Sequence, residues 1–204
     1  MKHIYLIRHG QTDYNLKGIV QGSRVDADLN DTGRKQAAGF FEAHKHIAFD
    51  KIYISKLKRT FQSVKGFIDL GIPYQAFEGL NEISWGEQDG IASNLEMKEY
   101  YNFVSKEWQS GNLDLQIGGG ESPNQVAKRQ KPVMETILSR TDEETILICM
   151  HGRAMRILLC QLLNKSLSEM DTFEHANLCL YLLAYDGKNI SVLKANDIEH
   201  CKMG

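Results

Sequence analysis

Residues 4 to 10 read Ile4-Tyr5-Leu6-Ile7-Arg8-His9-Gly10, an apolar run that ends in a guanidinium, an imidazole and a glycine. A permanently charged fork beside a histidine suits phosphoryl chemistry: Arg8 neutralises oxygens while His9 attacks phosphorus. The same succession of apolar run, histidine and glycine recurs at Cys149-Met150-His151-Gly152-Arg153. Arg59 follows a second apolar run in Ser55-Lys56-Leu57-Lys58-Arg59-Thr60, and Glu82 lies among turn residues in Leu80-Asn81-Glu82-Ile83-Ser84-Trp85-Gly86. Asn15 and Gln21-Gly22 fall in a loop downstream of His9. A lone histidine of this kind is usually a hydrogen-bonded core residue. Two His-Gly corners that share Arg8 and Arg59 are hard to attribute to packing and point to a site.

Positioning these groups requires strand ends, and the chain supplies them. Ile4–Ile7, Lys51–Ile54 and Thr145–Cys149 read as short buried strands, and 74–77 as a further extended piece. Helices are expected over 32–46 (capped by Asn30 or Asp31), 57–70, 123–139 and 153–163. Two alternating runs, 178–184 and 190–193, are joined by Tyr185-Asp186-Gly187-Lys188, a hairpin signal. This order predicts a three-layer α/β/α sandwich with a largely parallel central sheet, in which ligand sites gather at the carboxyl ends of strands. One domain is expected over residues 1–204. Between Gly90 and Glu121, the aromatics Tyr100, Tyr101, Phe103 and Trp108 precede Gly118-Gly119-Gly120. This stretch, about 91–122, reads equally as a helical cap over the site or as a helix packed on the sheet edge.

With 24 basic and 26 acidic residues among 204, the net charge is -2, so anion recognition must be local, and nucleic acid is not an expected partner. No apolar run is long enough to span a bilayer, and Arg8 interrupts the first apolar run too soon for a leader peptide. Cys149, Cys160, Cys179 and Cys201 have no C-x-x-C spacing and read as core thiols of a cytoplasmic protein. A metal site is not expected, because the two histidines have no clustered carboxylates or thiolates and the arginines would repel a cation. His3, His44, His46, His175 and His200 are assigned surface or structural roles, and Lys56 and Lys58 are taken as solvated. Arg153 and Arg156 are each read first as helix salt bridges, with one of them at the border of the site as the alternative, and Trp85 and Trp108 as core or cap packing.

Taken together, the clusters resemble the histidine phosphatase superfamily, the group that includes cofactor-dependent phosphoglycerate mutases and small phosphatases. Arg8-His9-Gly10-Gln11-Thr12 with Asn15 is similar to that family's R-H-G-[EQ]-T-x-x-N opening. Residues 29–37 resemble L-[ST]-x-x-G-x-x-Q-A, residues 55–62 resemble S-x-L-x-R-T-x-Q, and Gly119-Gly120-Glu121-Ser122 matches G-G-E-S. Residues 148–159 match the second His-Gly strand, with Gly152 at its corner, and the helix after it. The resemblance implies His9 as nucleophile and Arg8, Arg59 and His151 as holders of the three non-bridging phosphoryl oxygens. It implies Glu82 as the acid that protonates the leaving alkoxide and then activates water, with Asn15, Gln21, Gly22 and Gly152 contributing contacts around the phosphate. No cofactor is implied. The loop after Glu82 continues as Glu87-Gln88-Asp89-Gly90 where the family commonly runs toward W-E-G, which leaves Glu78 and Glu87 as competitors for the acid. Asn30-Asp31 replaces the usual hydroxyl residue, a swap between good caps. Met150 stands where a small residue often precedes the second histidine, and would narrow the pocket or pack beneath it.

Phosphatase and mutase share this chemistry. A mutase must hold a second anionic group, whereas residues 91–122 carry only Lys98 and Lys106 against Glu96, Glu99, Glu107, Asp114 and Glu121. The expected activity is therefore phosphomonoester hydrolysis through a phosphohistidine, with a leaving group less charged than a phosphoglycerate and a small phosphorylated metabolite or a phosphoprotein as substrate. Phosphoglycerate mutase is the alternative. A non-catalytic module that binds phosphorylated partners would be expected to lack His9 or Glu82, and both are present. The sequence carries no sign of oligomeric state.

Overall fold

The computed structural model of the chain describes residues 1–202. Its sheet has six strands in the order β3-β2-β4-β1-β5-β6, with β1 Lys2–Arg8, β2 Lys51–Ile54, β3 Tyr74–Ala76, β4 Thr145–Met150, β5 Leu180–Tyr185 and β6 Ile190–Asp197. The pairings β1–β4, β4–β2 and β2–β3 are parallel, while β5 and β6 add antiparallel, so the sheet is mixed. β6 runs on to Asp197, beyond the expected end at Leu193, as a largely exposed edge strand with no apolar alternation to mark it.

Strand alternation divides the core. Ile4, Leu6, Ile146, Ile148 and Met150 face one layer, in which α5 (Pro123–Ser139) and α6 (Gly152–Leu162) pack. Ile7, Ile52, Ile54, Leu147 and Cys149 face the other, against α2 (Asp31–His44) and α3 (Lys58–Asp69). Met150 is therefore fully buried beneath the sheet. Asn30, not Asp31, caps α2 through its side-chain oxygen, which accepts from Gly33 N at 2.9 Å. Ser122 opens α5 in a capping box with Gln125, followed by Pro123 in the first turn.

One element here differs from expectation, and the expected helix after Gly90 is present. Asn15 does not sit in a loop: it closes a capping box with Thr12 at the start of α1 (Asp13–Lys17), a helix too short to show a 3.6-residue pattern. The stretch after Gly90 forms α4 (Leu95–Gln109), capped by Asn94 and seated by Val104 and Trp108, both fully buried. The Trp108 indole N–H donates to Leu115 O at 2.9 Å, tying the glycine-rich return to the helix.

Candidate active site

The sheet order explains why the two His-Gly corners meet. β1 and β4 are parallel neighbours with Arg8 opposite Met150, and His9 N donates to Met150 O at 3.0 Å. The residues that follow, His9 and His151, thus emerge side by side, with ring centroids 5.1 Å apart. β2 flanks β4 on the other side with Ile54 opposite Cys149, which delivers Ser55 and, as the second residue of the next helix, Arg59.

Hydrogen bonding fixes both tautomers. A carbonyl can only accept, so His9 donates Nδ1–H to Gly10 O at 2.7 Å and keeps its lone pair on Nε2. Arg59 Nε can only donate, so His151 accepts at Nδ1 (3.2 Å) and donates Nε2–H to Ser55 Oγ at 2.8 Å. Burial, then the neighbouring Arg59 and Arg8, holds His9 well below the usual imidazole range, and burial, Arg59 and His9 do the same to His151. Both rings are neutral at physiological pH.

Arg59 is fully buried, and its Nη1 and Nη2 donate to Val25 O at 2.6 Å and Gly22 O at 3.3 Å, so it braces the loop after α1. Burial brings it down to about 10. Arg8 donates Nη1–H to His175 O at 2.7 Å. Of the three candidate acids, Glu82 is buried at the edge of the main cavity, whereas Glu78 and Glu87 are exposed and lie outside that cavity. Glu82 Oε1 accepts from Ile83 N (2.9 Å) and Ala154 N (2.8 Å), and Oε2 from Arg153 N (3.1 Å), which seats the carboxylate on the first turn of α6.

The loop residues divide. Gln21 and Asn15 line the cavity, and Gln21 accepts the Thr12 hydroxyl at 2.7 Å. The Gly22 N–H is taken by Asp89 Oδ1 at 2.6 Å, so it does not serve as the phosphate contact expected of it. Its requirement is steric: a Cβ there would lie 2.2 Å from that oxygen and 2.5 Å from Ile83 O. Gly152 lines the cavity, and a Cβ there would meet His175 Cδ2 at 2.7 Å and Arg8 Nε at 3.2 Å.

The cavity itself has a volume of about 500 Å³. Arg8, Gln21, Glu82 and Gly152 line its phosphoryl end, and Arg153, Arg156, Lys98, His175 and Tyr101 line the rest, while His9, Arg59 and His151 are buried and do not line it. Arg8 Nε, Gln21 Nε2, Arg153 Nε and Arg156 Nε are buried donors without a partner, and all four belong to lining residues. Such concentration of unpaired N–H groups is the signature of an anion site.

Sequence reasoning placed at most one of the helix arginines at the border of this second half. Arg153 and Arg156 do pair with a carboxylate, Asp171, at 2.6 Å each, but they also form the cavity wall. Arg153 further hydrogen-bonds the Tyr101 hydroxyl and lies 5.4 Å from the Trp108 ring centroid. His175 is not a surface residue: it lines the cavity, and burial followed by Arg156, Arg8 and Arg153 brings it down to about 3. Trp85 also lines the cavity and does not serve the core alone. Asn177 went unnoticed, although its amide donates to His9 O at 3.1 Å and Asn15 Oδ1 at 3.2 Å. A signal for the arginines existed: α6 is apolar and buried from Gly152 to Cys160, so charges within it had to find a partner or a ligand.

Among the described residues no group of three or more His, Cys, Asp or Glu is placed to hold a metal ion, and no helix is long and apolar enough to cross a membrane.

The family model of the histidine phosphatase superfamily (branch 1) matches residues 4–198. Among curated proteins, "Putative phosphoserine phosphatase 2" of Hydrogenobacter thermophilus is 29% identical over 203 residues, covering 99% of this chain and 98% of that protein. A 6-phosphofructo-2-kinase/fructose-2,6-bisphosphatase of Gallus gallus is 32% identical over 172 residues, 82% of this chain, and the chain spans 34% of that longer protein. Among solved structures, phosphoserine phosphatase of Entamoeba histolytica in complex with 3-phosphoglyceric acid superposes with a TM-score of 0.84 at 24% identity, covering 98% of this chain and 100% of that one. Bacillus stearothermophilus YhfR gives the same TM-score, identity and coverage.

Proposed function

The chain belongs to the histidine phosphatase superfamily, and from this we propose that it is a metal-independent phosphomonoester phosphatase whose phosphoryl group passes through His9. The observation that carries the assignment is the tautomer of His9: the Nδ1–H bond to Gly10 O leaves an unprotonated Nε2 in a buried site with two arginines nearby. His9 Nε2 attacks phosphorus and an N–P bond forms as the P–O bond to the leaving group breaks. Glu82, in its protonated form, gives its proton to the departing alkoxide. Water then attacks the phosphohistidine, its proton passes to Glu82, and the N–P bond breaks to release phosphate and neutral His9. Phosphoryl transfer is mostly positioning and charge stabilisation, the task of Arg8, Arg59 and the free donor of Gln21. His151 assists through Arg59: its ring nitrogens are bonded to Arg59 and Ser55, and so it aligns the guanidinium.

The substrate is a small phosphorylated metabolite whose leaving group carries a second anionic group. This departs from the expectation of a less charged leaving group, because Arg153, Arg156 and Lys98 line the cavity together with Arg8. Phosphoserine, in the name of the Hydrogenobacter relative, has a carboxylate of this kind.

Two measurements test the reading. Acid quenching during turnover, with chelator present, should trap phosphate on the wild-type chain and none on His9→Ala, which should be inactive. An active His9→Ala variant would refute the mechanism. Arg156→Ala should raise KM for phosphoserine or 3-phosphoglycerate about tenfold or more and leave 4-nitrophenyl phosphate within about threefold, as expected for loss of one charge-assisted hydrogen bond.

A further inference from the structure

Arg129 and Glu121 lie outside the cavity lining and have no part in the chemistry above. Their contacts nevertheless converge on one short segment. A guanidinium has five N–H donors, and here every one is used. Nε donates to Glu121 Oε1 at 2.7 Å, and Nη2 to Glu121 Oε2 at 2.9 Å and Glu82 O at 3.0 Å. Nη1 donates to Gly79 O at 2.9 Å and Asn81 O at 3.0 Å. Glu121 completes the clamp: its Oε2 accepts from Ser84 N at 2.9 Å, and its own N–H donates to Ser84 O at 2.8 Å. Three of the six residues from Gly79 to Ser84 are thus held by Arg129 through their carbonyls, and a fourth, Ser84, by Glu121. A Cβ at Gly79 would lie 2.6 Å from Arg129 O, so the segment rests directly on α5.

From this geometry we infer that Arg129, aligned by Glu121, is a positioning residue for proton transfer at Glu82. The inference rests on the reading of Glu82 as the proton donor. The backbone of Glu82 is fixed from α5 by Arg129, while its carboxylate is fixed from α6 by Arg153 N and Ala154 N. Position along the cavity wall is therefore set by two helices, and only one of these attachments is on the catalytic side. Releasing the α5 attachment lets the backbone of the segment shift while the phosphoryl pocket, built on β1, β2 and β4, stays in place. A misplacement of about 1 Å is enough to cost about 100-fold in a step that needs alignment. The Gly119-Gly120-Glu121-Ser122 motif acquires a purpose here: it brings Glu121 across from α4 to the start of α5, where the clamp closes.

The test uses a series of phosphomonoesters with leaving groups from nitrophenol to a simple alcohol, and kcat/KM, which reports phosphohistidine formation. Glu82→Gln should lose activity more steeply as the leaving group becomes more basic, because a nitrophenolate departs without a proton. Arg129→Met should show the same trend in weaker form: about 10- to 100-fold loss for alkyl esters and less than about threefold for nitrophenyl phosphate. Retained nitrophenyl turnover also shows that the variant is folded. Glu121→Gln, which keeps the side chain's size, should give an intermediate slope, and it decides the matter if Arg129→Met does not fold. Equal loss for all esters in these variants, or no loss, with Glu82→Gln steep, would overturn the inference and leave Glu82 as the donor. A flat Glu82→Gln series would instead remove the reading on which the inference rests.

Discussion

The two buried imidazoles make the stability of this chain depend on pH in a definite direction. His9 and His151 are held neutral in the fold by burial and by Arg59 and Arg8, well below the ordinary imidazole value of 6.5. In the unfolded chain both titrate near that value. Below about pH 6.5 the unfolded state binds protons that the folded state refuses, so stability falls as the solution is acidified and rises as it is made neutral. Between pH 7.5 and 5.5 each such group lowers the unfolding free energy by on the order of 1 kcal/mol, and the pair by a few kcal/mol. His175, brought down to about 3 but more exposed, adds a smaller contribution of the same sign. His44 and His200, depressed chiefly by burial beside Phe40, also add to it. Asp171 and Glu121 lie below their usual range and matter only at lower pH, while burial raises Asp89, which contributes with the opposite sign where it titrates. Urea unfolding at fixed ionic strength, without phosphate in the buffer, measures the effect through the midpoint at constant slope. His151→Gln, which keeps a polar side chain between Arg59 and Ser55, should lose less stability than the wild type between the two pH values, by on the order of 1 kcal/mol. A wild-type stability that is flat across this window, or a variant with the wild-type slope, would refute the argument.

Two further outcomes follow from individual contacts. Gly22→Ala should lower kcat/KM and cost about 1–3 kcal/mol of stability, because its Cβ has only 2.2 Å to Asp89 Oδ1 and 2.5 Å to Ile83 O; unchanged kinetics and midpoint would show that the loop is not packed as described. Asp171→Asn removes the charge shared by Arg153 and Arg156 at 2.6 Å and should cost about 3 kcal/mol by urea titration, a loss that a saturating dianionic ligand reduces. Full stability without ligand would mean the arginines do not need their counter-charge.

The phosphoryl half of the site was legible because covalent neighbours carry it. Arg8, His9 and Gly10 stand at one strand end, Met150, His151 and Gly152 at another, and parallel pairing of those strands suffices to bring the rings together. The substrate half was misread for a reason that helix geometry makes plain. A sum of charges over residues 91–122 treats every side chain of α4 as facing the site. Only Met97, Lys98, Tyr101 and Asn102 of that helix line the cavity, a set spaced at one and four residues, while Glu96, Glu99 and Glu107 point elsewhere. The charges that matter come from α6 instead, where Arg153 and Arg156 share a face at i and i+3. His175 and Asp171 belong to no local pattern at all. Their place depends on where the chain between α6 and β5 crosses the strand ends.

Residue type also cannot tell a satisfied arginine from an unsatisfied one. In the fold every N–H of Arg129 is bonded while Arg8 Nε is buried without a partner. An unpaired buried donor costs about 1–3 kcal/mol. Four of them belong to residues that line one cavity, where a bound anion supplies the missing acceptor. Protein groups satisfy the positioning arginine entirely, whereas Arg8, Arg153 and Arg156 pair in part with His175 O and Asp171 and each keep an Nε–H without a protein partner. That difference in hydrogen bonding separates the residues that hold the site together from those that hold a phosphate, and it exists only once the strands and helices have been brought into register.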